Sequence, residues 1–147
     1  MVTRVFVEKR KGFDVEAQGL LADLRRNLGL TGLTEVRILN RYDVDGLTPQ
    51  QFASAARTVL SEPNMDDVYP EGFTLPEEYR AFAMEYLPGQ YDQRADSAAQ
   101  CVQLLTQGER PQVLSAKVIG VKGDLDDAGF EKIKAYLINP FEAREAS

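Results

Sequence analysis

Glu85-Tyr86-Leu87-Pro88-Gly89-Gln90-Tyr91-Asp92-Gln93-Arg94-Ala95-Asp96-Ser97-Ala98-Ala99-Gln100-Cys101 reads as a strand end, a tight Pro-Gly turn and a helix. Asp92 opens the helix, and Ala95, Ala98, Ala99 and Val102 share one face. An earlier run, Val5 to Ala17, repeats the grammar: apolar strand, glycine turn, aromatic, Asp, helix. Phe13 and Asp14 stand 78 positions before Tyr91 and Asp92, and Leu47, Phe52 and Val59 stand 78 before Leu125, Phe130 and Leu137. The shared register, with slips of a residue or two at turns, predicts two related units rather than one irregular domain.

The spacing of start and stop signals extends this reading along the chain. Arg4 to Arg10 is a short strand, and Asp14 opens an amphipathic helix of Ala17, Leu20, Leu21, Leu24 and Leu28 that ends at Gly29. Thr34 to Arg41 is a second strand, with a brief third between Tyr42 and Leu47. Thr48-Pro49-Gln50-Gln51 is a capping box with proline in the first turn, and the helix it opens stops at Ser61-Glu62-Pro63. Met65 to Tyr69 is an edge strand. Pro70 to Arg80, rich in turn formers, is the linker. The second unit repeats the order with a strand at Ala81 to Tyr86, a helix to Gln107-Gly108, a strand at Val113 to Val121 that lacks strict alternation, and a helix capped by Asp124 or Asp126.

The predicted fold is therefore α+β, a tandem pair of ferredoxin-like units related by a pseudo-twofold, each a sheet with two helices on one face. The units span 1–69 and 81–147 around the linker 70–80. The polar tail Glu142 to Ser147 implies either that the second unit is cut before its last strand or that this edge is completed differently. Halves of about 70 residues bury too little surface to fold alone, so they are expected to pack on each other.

Composition narrows the chemistry. The 147 residues carry 17 basic and 23 acidic side chains, a net charge of −6, and the basic ones are scattered, which opposes a nucleic-acid footprint. No long apolar run suggests a membrane span, and the lone Cys101 excludes an internal disulfide, which makes the cytoplasm the expected location. The chain has no histidine, the commonest general base and metal ligand. Cys101, among Ala98, Ala99, Val102 and Leu105, reads as a packed small hydrophobe rather than a nucleophile. Asp66-Asp67 and Asp126-Asp127 read as turn and cap residues, since they lack the multi-ligand spacing of a cation loop.

Asp92, Arg94 and Asp96 fall at positions that do not converge on one point, so Asp92 is expected to cap and Arg94 and Asp96 to make surface or intersubunit contacts. Tyr86 and Tyr91 flank Pro88-Gly89 either as a recognition surface or as packing around the turn. The residues alone leave both open.

Glu85 to Cys101, most specifically its run Tyr86 to Ser97, with Leu137-Ile138-Asn139-Pro140, Glu142 to Ser147, Phe13 to Leu21 and Leu39 to Val44, resembles the amino-terminal region of the large, single-chain phosphoribosylformylglycinamidine synthases over nearly the whole chain. The resemblance implies two fused PurS-like units in an enzyme of purine biosynthesis that uses ATP, magnesium and glutamine to form an amidine. It implies a non-catalytic scaffold here, with no catalytic, cofactor or metal residues of its own. ATP and magnesium would bind elsewhere in the parent enzyme. The partners would be the synthetase and glutaminase domains of the same enzyme, and Tyr86, Gln90, Tyr91, Gln93, Arg94 and Asp96 are the candidate interdomain contacts. An apolar face bared by excision would drive homodimers. The rival reading is a regulatory module that binds a small molecule between paired ferredoxin-like units.

Overall fold

The computed structural model describes residues 1–147. Its elements run β1 (Val2–Lys9), α1 (Val15–Asn27), β2 (Leu33–Asp45), α2 (Pro49–Thr58), β3 (Asp66–Tyr69), β4 (Tyr79–Tyr86), α3 (Gln93–Thr106), β5 (Gln112–Gly123), α4 (Asp127–Leu137) and β6 (Ala143–Ala146). The fold is α+β. All six strands join one antiparallel sheet in the order β3-β1-β2-β5-β4-β6, an arrangement compatible with ferredoxin-like folds.

The helix ends follow local chemistry. Thr48 Oγ1 accepts from the Gln51 amide at 3.1 Å while the Gln51 side chain accepts from the Thr48 amide at 3.0 Å, a closed capping box. Asp92 accepts from the Ala95 amide at 2.9 Å and Asp126, not Asp124, from the Gly129 amide at 2.7 Å. Asp14 precedes α1 but caps no helical amide. Its Oδ1 instead accepts from the Gly12 amide and the Gln18 side chain.

Alternation along the strands places Val5 and Val7 of β1, Val36, Tyr42 and Val44 of β2, Phe82 of β4, and Ile119 and Val121 of β5 beneath the helices. They fall into two clusters, and each draws on both sequence halves. The first joins Val5, Val7, Tyr42, Val44, Ala55 and Ala56 to Ala98 and Val102. The second joins Ala17, Leu24, Leu33 and Val36 to Phe82, Ile119, Val121 and Ile133. Neither half has a core of its own, because β2 and β5 pair along their whole length, from Leu33 opposite Gly123 to Asp45 opposite Gln112.

Several expectations need correction. The strand at Thr34 to Arg41 and the brief one after it are a single strand, β2, kept continuous by its pairing with β5 from Leu33 to Asp45. The second series does not stop short. Ala143–Ala146 pairs with Ala83–Tyr86 of β4, and its charged, small residues suit a sheet edge, where exposed backbone is protected by polarity rather than by apolar packing. Strand β4 begins at Tyr79, inside the expected linker. Cys101 is exposed, because Val102, fully buried, takes the inward position and the next residue back lies about 100° round the helix.

The remaining connection, Pro70 to Glu78, leads from β3 at one edge to β4 beyond β1, β2 and β5. It crosses the face without helices. Phe73 stacks on Tyr69 at 4.0 Å between centroids and tilts against Phe6 at 5.9 Å, and Leu75 lies directly over Gly120. Leu39, on this face by alternation, is fully buried. Arg37 ties down both ends of the strap. It holds Glu8 through two hydrogen bonds of 2.8 and 2.6 Å, Glu8 accepts from the Tyr69 hydroxyl at 3.2 Å, and the guanidinium lies 5.6 Å from the centroid of the Tyr79 ring.

Burial, together with the hydrogen bond that its hydroxyl donates to Glu35, pushes Tyr79 up to about 12. Its neutral form is favoured by folding, so the contribution is fully present below the ordinary tyrosine value of about 10 and is lost as pH rises through about 12. A near-ultraviolet absorbance titration of the six tyrosines is expected to show a late step that Tyr79→Phe removes. An unchanged curve in the variant would refute the assignment.

Candidate functional site

A cleft of about 690 Å³ opens between α3, the end of α4 and the sheet. Its floor is the helix-facing side of β2 and β5, where Asn40, Tyr42, Ser115 and Lys117 follow one another across the central seam: Asn40 pairs with Lys117 and Tyr42 with Ser115. One wall is α3, through Arg94, Ser97, Ala98 and Cys101, and the other includes Leu137 and Asn139. The wall stands upright because Asp92 does two jobs. It caps α3, and it accepts from the Ser115 hydroxyl at 2.7 Å, which fixes the helix start to the floor.

The polar groups of the cleft are unevenly satisfied. Lys117 Nζ meets Glu16 Oε2, from the first turn of α1, at 2.7 Å. Arg94 makes only a long hydrogen bond, 3.4 Å, to the Tyr42 hydroxyl, and no ion pair. The Asn40 Oδ1 atom is buried without a hydrogen-bond partner. Such an atom has given up water for nothing, at a cost of about 1–3 kcal/mol.

The six residues expected to make contacts do not form one patch. Tyr86, Gln93 and Arg94 reach the cleft. Tyr91 and Asp96 lie apart from it, where the Tyr91 hydroxyl donates to Asp96 Oδ2 at 2.8 Å and Arg110 pairs with the same carboxylate. That hydrogen bond, with the Arg110 charge, holds the Asp96 carboxyl below its usual range. Gln90 sits in the exposed turn, its amide bonded to the Leu87 carbonyl at 3.0 Å. Tyr86 and Tyr91 are both exposed, at 47% and 67%, so neither is packed in the core.

The acidic pairs have ordinary partners. Asp66 meets Lys9 at 3.0 Å, Asp67 meets Arg10 at 3.1 Å, Asp126 caps α4 and Asp127 meets Arg80 at 2.7 Å. No group of three or more His, Cys, Asp or Glu side chains comes together as metal ligands do, and no helix is long and apolar enough to cross a membrane. Asn40, Ser97 and Lys117 were not singled out from the sequence. A signal for Lys117 existed: along β5, Ser115 and Lys117 interrupt the apolar series Val113, Ile119 and Val121 on the helix-facing side. No protein-family model and no curated protein matches the chain.

Proposed function

We propose that this chain is the amino-terminal assembly domain of a cytoplasmic phosphoribosylformylglycinamidine synthase, an ATP- and glutamine-dependent, amidine-forming ligase of purine biosynthesis. In this reading it is a tandem pair of PurS-like units that holds the synthetase and glutaminase parts of the enzyme in register and supports ammonia transfer, with no catalytic group of its own. The observation that carries the reading is the strand order. The series β1-α1-β2-α2-β3 and β4-α3-β5-α4-β6 have the same element order, and the sheet runs outward from the β2–β5 seam as β2, β1, β3 on one side and β5, β4, β6 on the other. The resemblance of Tyr86 to Ser97 to the synthase family supports the name.

Fixing two catalytic parts in one geometry contributes by positioning, since ammonia released in solution is lost to the bulk before it can react. The test uses the remainder of the enzyme lacking residues 1–147. Adding this chain is expected to restore glutamine-dependent amidine formation and to leave ammonium-dependent formation nearly unchanged. If neither rate responds, the scaffold reading is wrong.

A further inference from the structure

We infer that the cleft beside α3 is a binding site for a small organic anion, a carboxylate or phosphate that carries its own N–H or O–H donor. The first support is an asymmetry of filling. At positions 78 apart, α1 and its C-cap carry Leu20, Leu21, Leu24 and Leu28 where α3 carries Ala98, Ala99, Val102 and Thr106. The leucines pack over Val36, Ile119 and Val121, Leu24 fully buried and the other three partly, and the cleft left on that side, about 550 Å³ beside Asp14, Gln18 and Leu21, is lined mostly by polar and charged residues. On the α3 side the smaller residues leave about 690 Å³ open, within the size range of small-molecule sites.

The floor differs in the same sense. Across the seam, the helix-facing residues under α1 are Val36, Ile38, Ile119 and Val121, whereas those at the cleft are Asn40, Tyr42, Ser115 and Lys117. A cavity kept open by small residues and floored with hydrogen-bonding groups is poorly explained by packing alone.

The identity of the ligand follows from what those groups lack. Arg94 has no carboxylate, and a guanidinium fork matches planar carboxylate or phosphate oxygens. Lys117 is already paired, but its partner Glu16 is largely exposed, so a ligand anion can share the cation without stranding a buried charge. Asn40 Oδ1 needs a donor, which an anion without an O–H or N–H group, such as chloride or sulfate, cannot offer. The carboxylates whose charge Arg94 feels are Glu16 and Asp92, and neither reaches it as an ion pair: Glu16 is engaged by Lys117 at 2.7 Å, and Asp92 caps α3 and accepts from the Ser115 hydroxyl.

The single thiol, Cys101, lines the cleft and is exposed, so it reports occupancy. The experiment measures the rate of iodoacetamide labelling of the 147-residue chain in N-acetylglycine, in ribose 5-phosphate and in sodium chloride at matched ionic strength. Saturable protection is expected from at least one organic anion, with labelling slowed about tenfold at about ten times its Kd, because only the empty form reacts. Protection by N-acetylglycine alone assigns a carboxylate, and by ribose 5-phosphate alone a phosphate. Arg94→Gln and Asn40→Asp are each expected to abolish protection while the amide spectrum of the rest of the chain is unchanged. The first removes the cation and the second sets a negative charge against the anion. No protection beyond chloride by either compound, or full protection in Arg94→Gln, overturns the proposal. The measurement needs no catalytic partner, so its failure leaves the assembly role standing.

Discussion

Cut between Gly72 and Phe73, the chain is expected to give two pieces, neither of which is a folded monomer. The reason lies in the two clusters beneath the helices, each assembled from both pieces. Residues 1–72 would keep Val5, Val7, Tyr42 and Val44 but lose Ala98 and Val102, and would keep Leu24 and Leu33 without Phe82, Ile119, Val121 or Ile133. The cut would also bare β2 along its whole partner-facing edge. A piece of about 70 residues buries only about 60% of its unfolded surface even when its core is intact. Sedimentation and circular dichroism of each piece are expected to show an unfolded chain, or a homodimer in which the bared edge of β2 or β5 pairs with itself. Equimolar mixing is expected to restore a cooperative melt. A monomeric piece that melts cooperatively would show that a half-core suffices.

Gly123→Ala is expected to destabilise the chain by about 3 kcal/mol, lowering the melting midpoint by about 10 °C. Gly123 has φ +138°, outside the range that L side chains ordinarily adopt. Its position adds a steric cost. A Cβ there would run into the Gly32 carbonyl oxygen and lie 2.8 Å from Leu33 Cα and Thr34 N, all of them backbone atoms that cannot rotate away. The two glycines pass close where the β2–β5 seam ends, and the Asp124 amide donates to that same Gly32 carbonyl at 2.9 Å. Relief by shifting the backbone would therefore break a hydrogen bond at the end of the longest strand pair. Gly19→Ala is the control: it lies within α1 with nothing near the new methyl, so better helix propensity is expected to raise the midpoint slightly. Equal midpoints for the two variants would sink the argument.

Features governed by neighbours in sequence were legible, and those governed by distant pairing were not. The Thr48-Pro49-Gln50-Gln51 cap, the Asp92 cap and the apolar spacing of all four helices depend on a few consecutive residues, and they were found where expected. The edge strand Ala143–Ala146 was missed because what makes it a strand is β4 beside it, not its own composition. Phe73 and Leu75 stand alone among Pro70, Gly72 and Pro76 with no period to announce burial, and their role appears only when β3 and β4 are known to be four strand spacings apart. At the site, Arg94 and Gln93 could be singled out because they belong to a distinctive run. Asn40 could not. Its significance comes from Lys117 beside it across the seam and from an alanine-rich helix above, both supplied by the other half of the chain.

The strap from Pro70 to Glu78 gives the molecule a front and a back. Four strand spacings come to about 19 Å, and nine residues can span at most about 30 Å, so little slack remains once the turns at Pro70 and Pro76 are formed. With so little slack the strap must run close over the sheet, and the aromatic stack of Phe73 and Tyr69 and the seating of Leu75 on Gly120 hold it there. The middle of that face is thus spoken for before any other protein arrives. A partner has to approach by way of the helices, the short outer strands or the end of this face beyond the strap, where Val2 and Leu114 are exposed, and its orientation is constrained by a segment that makes no contact with it.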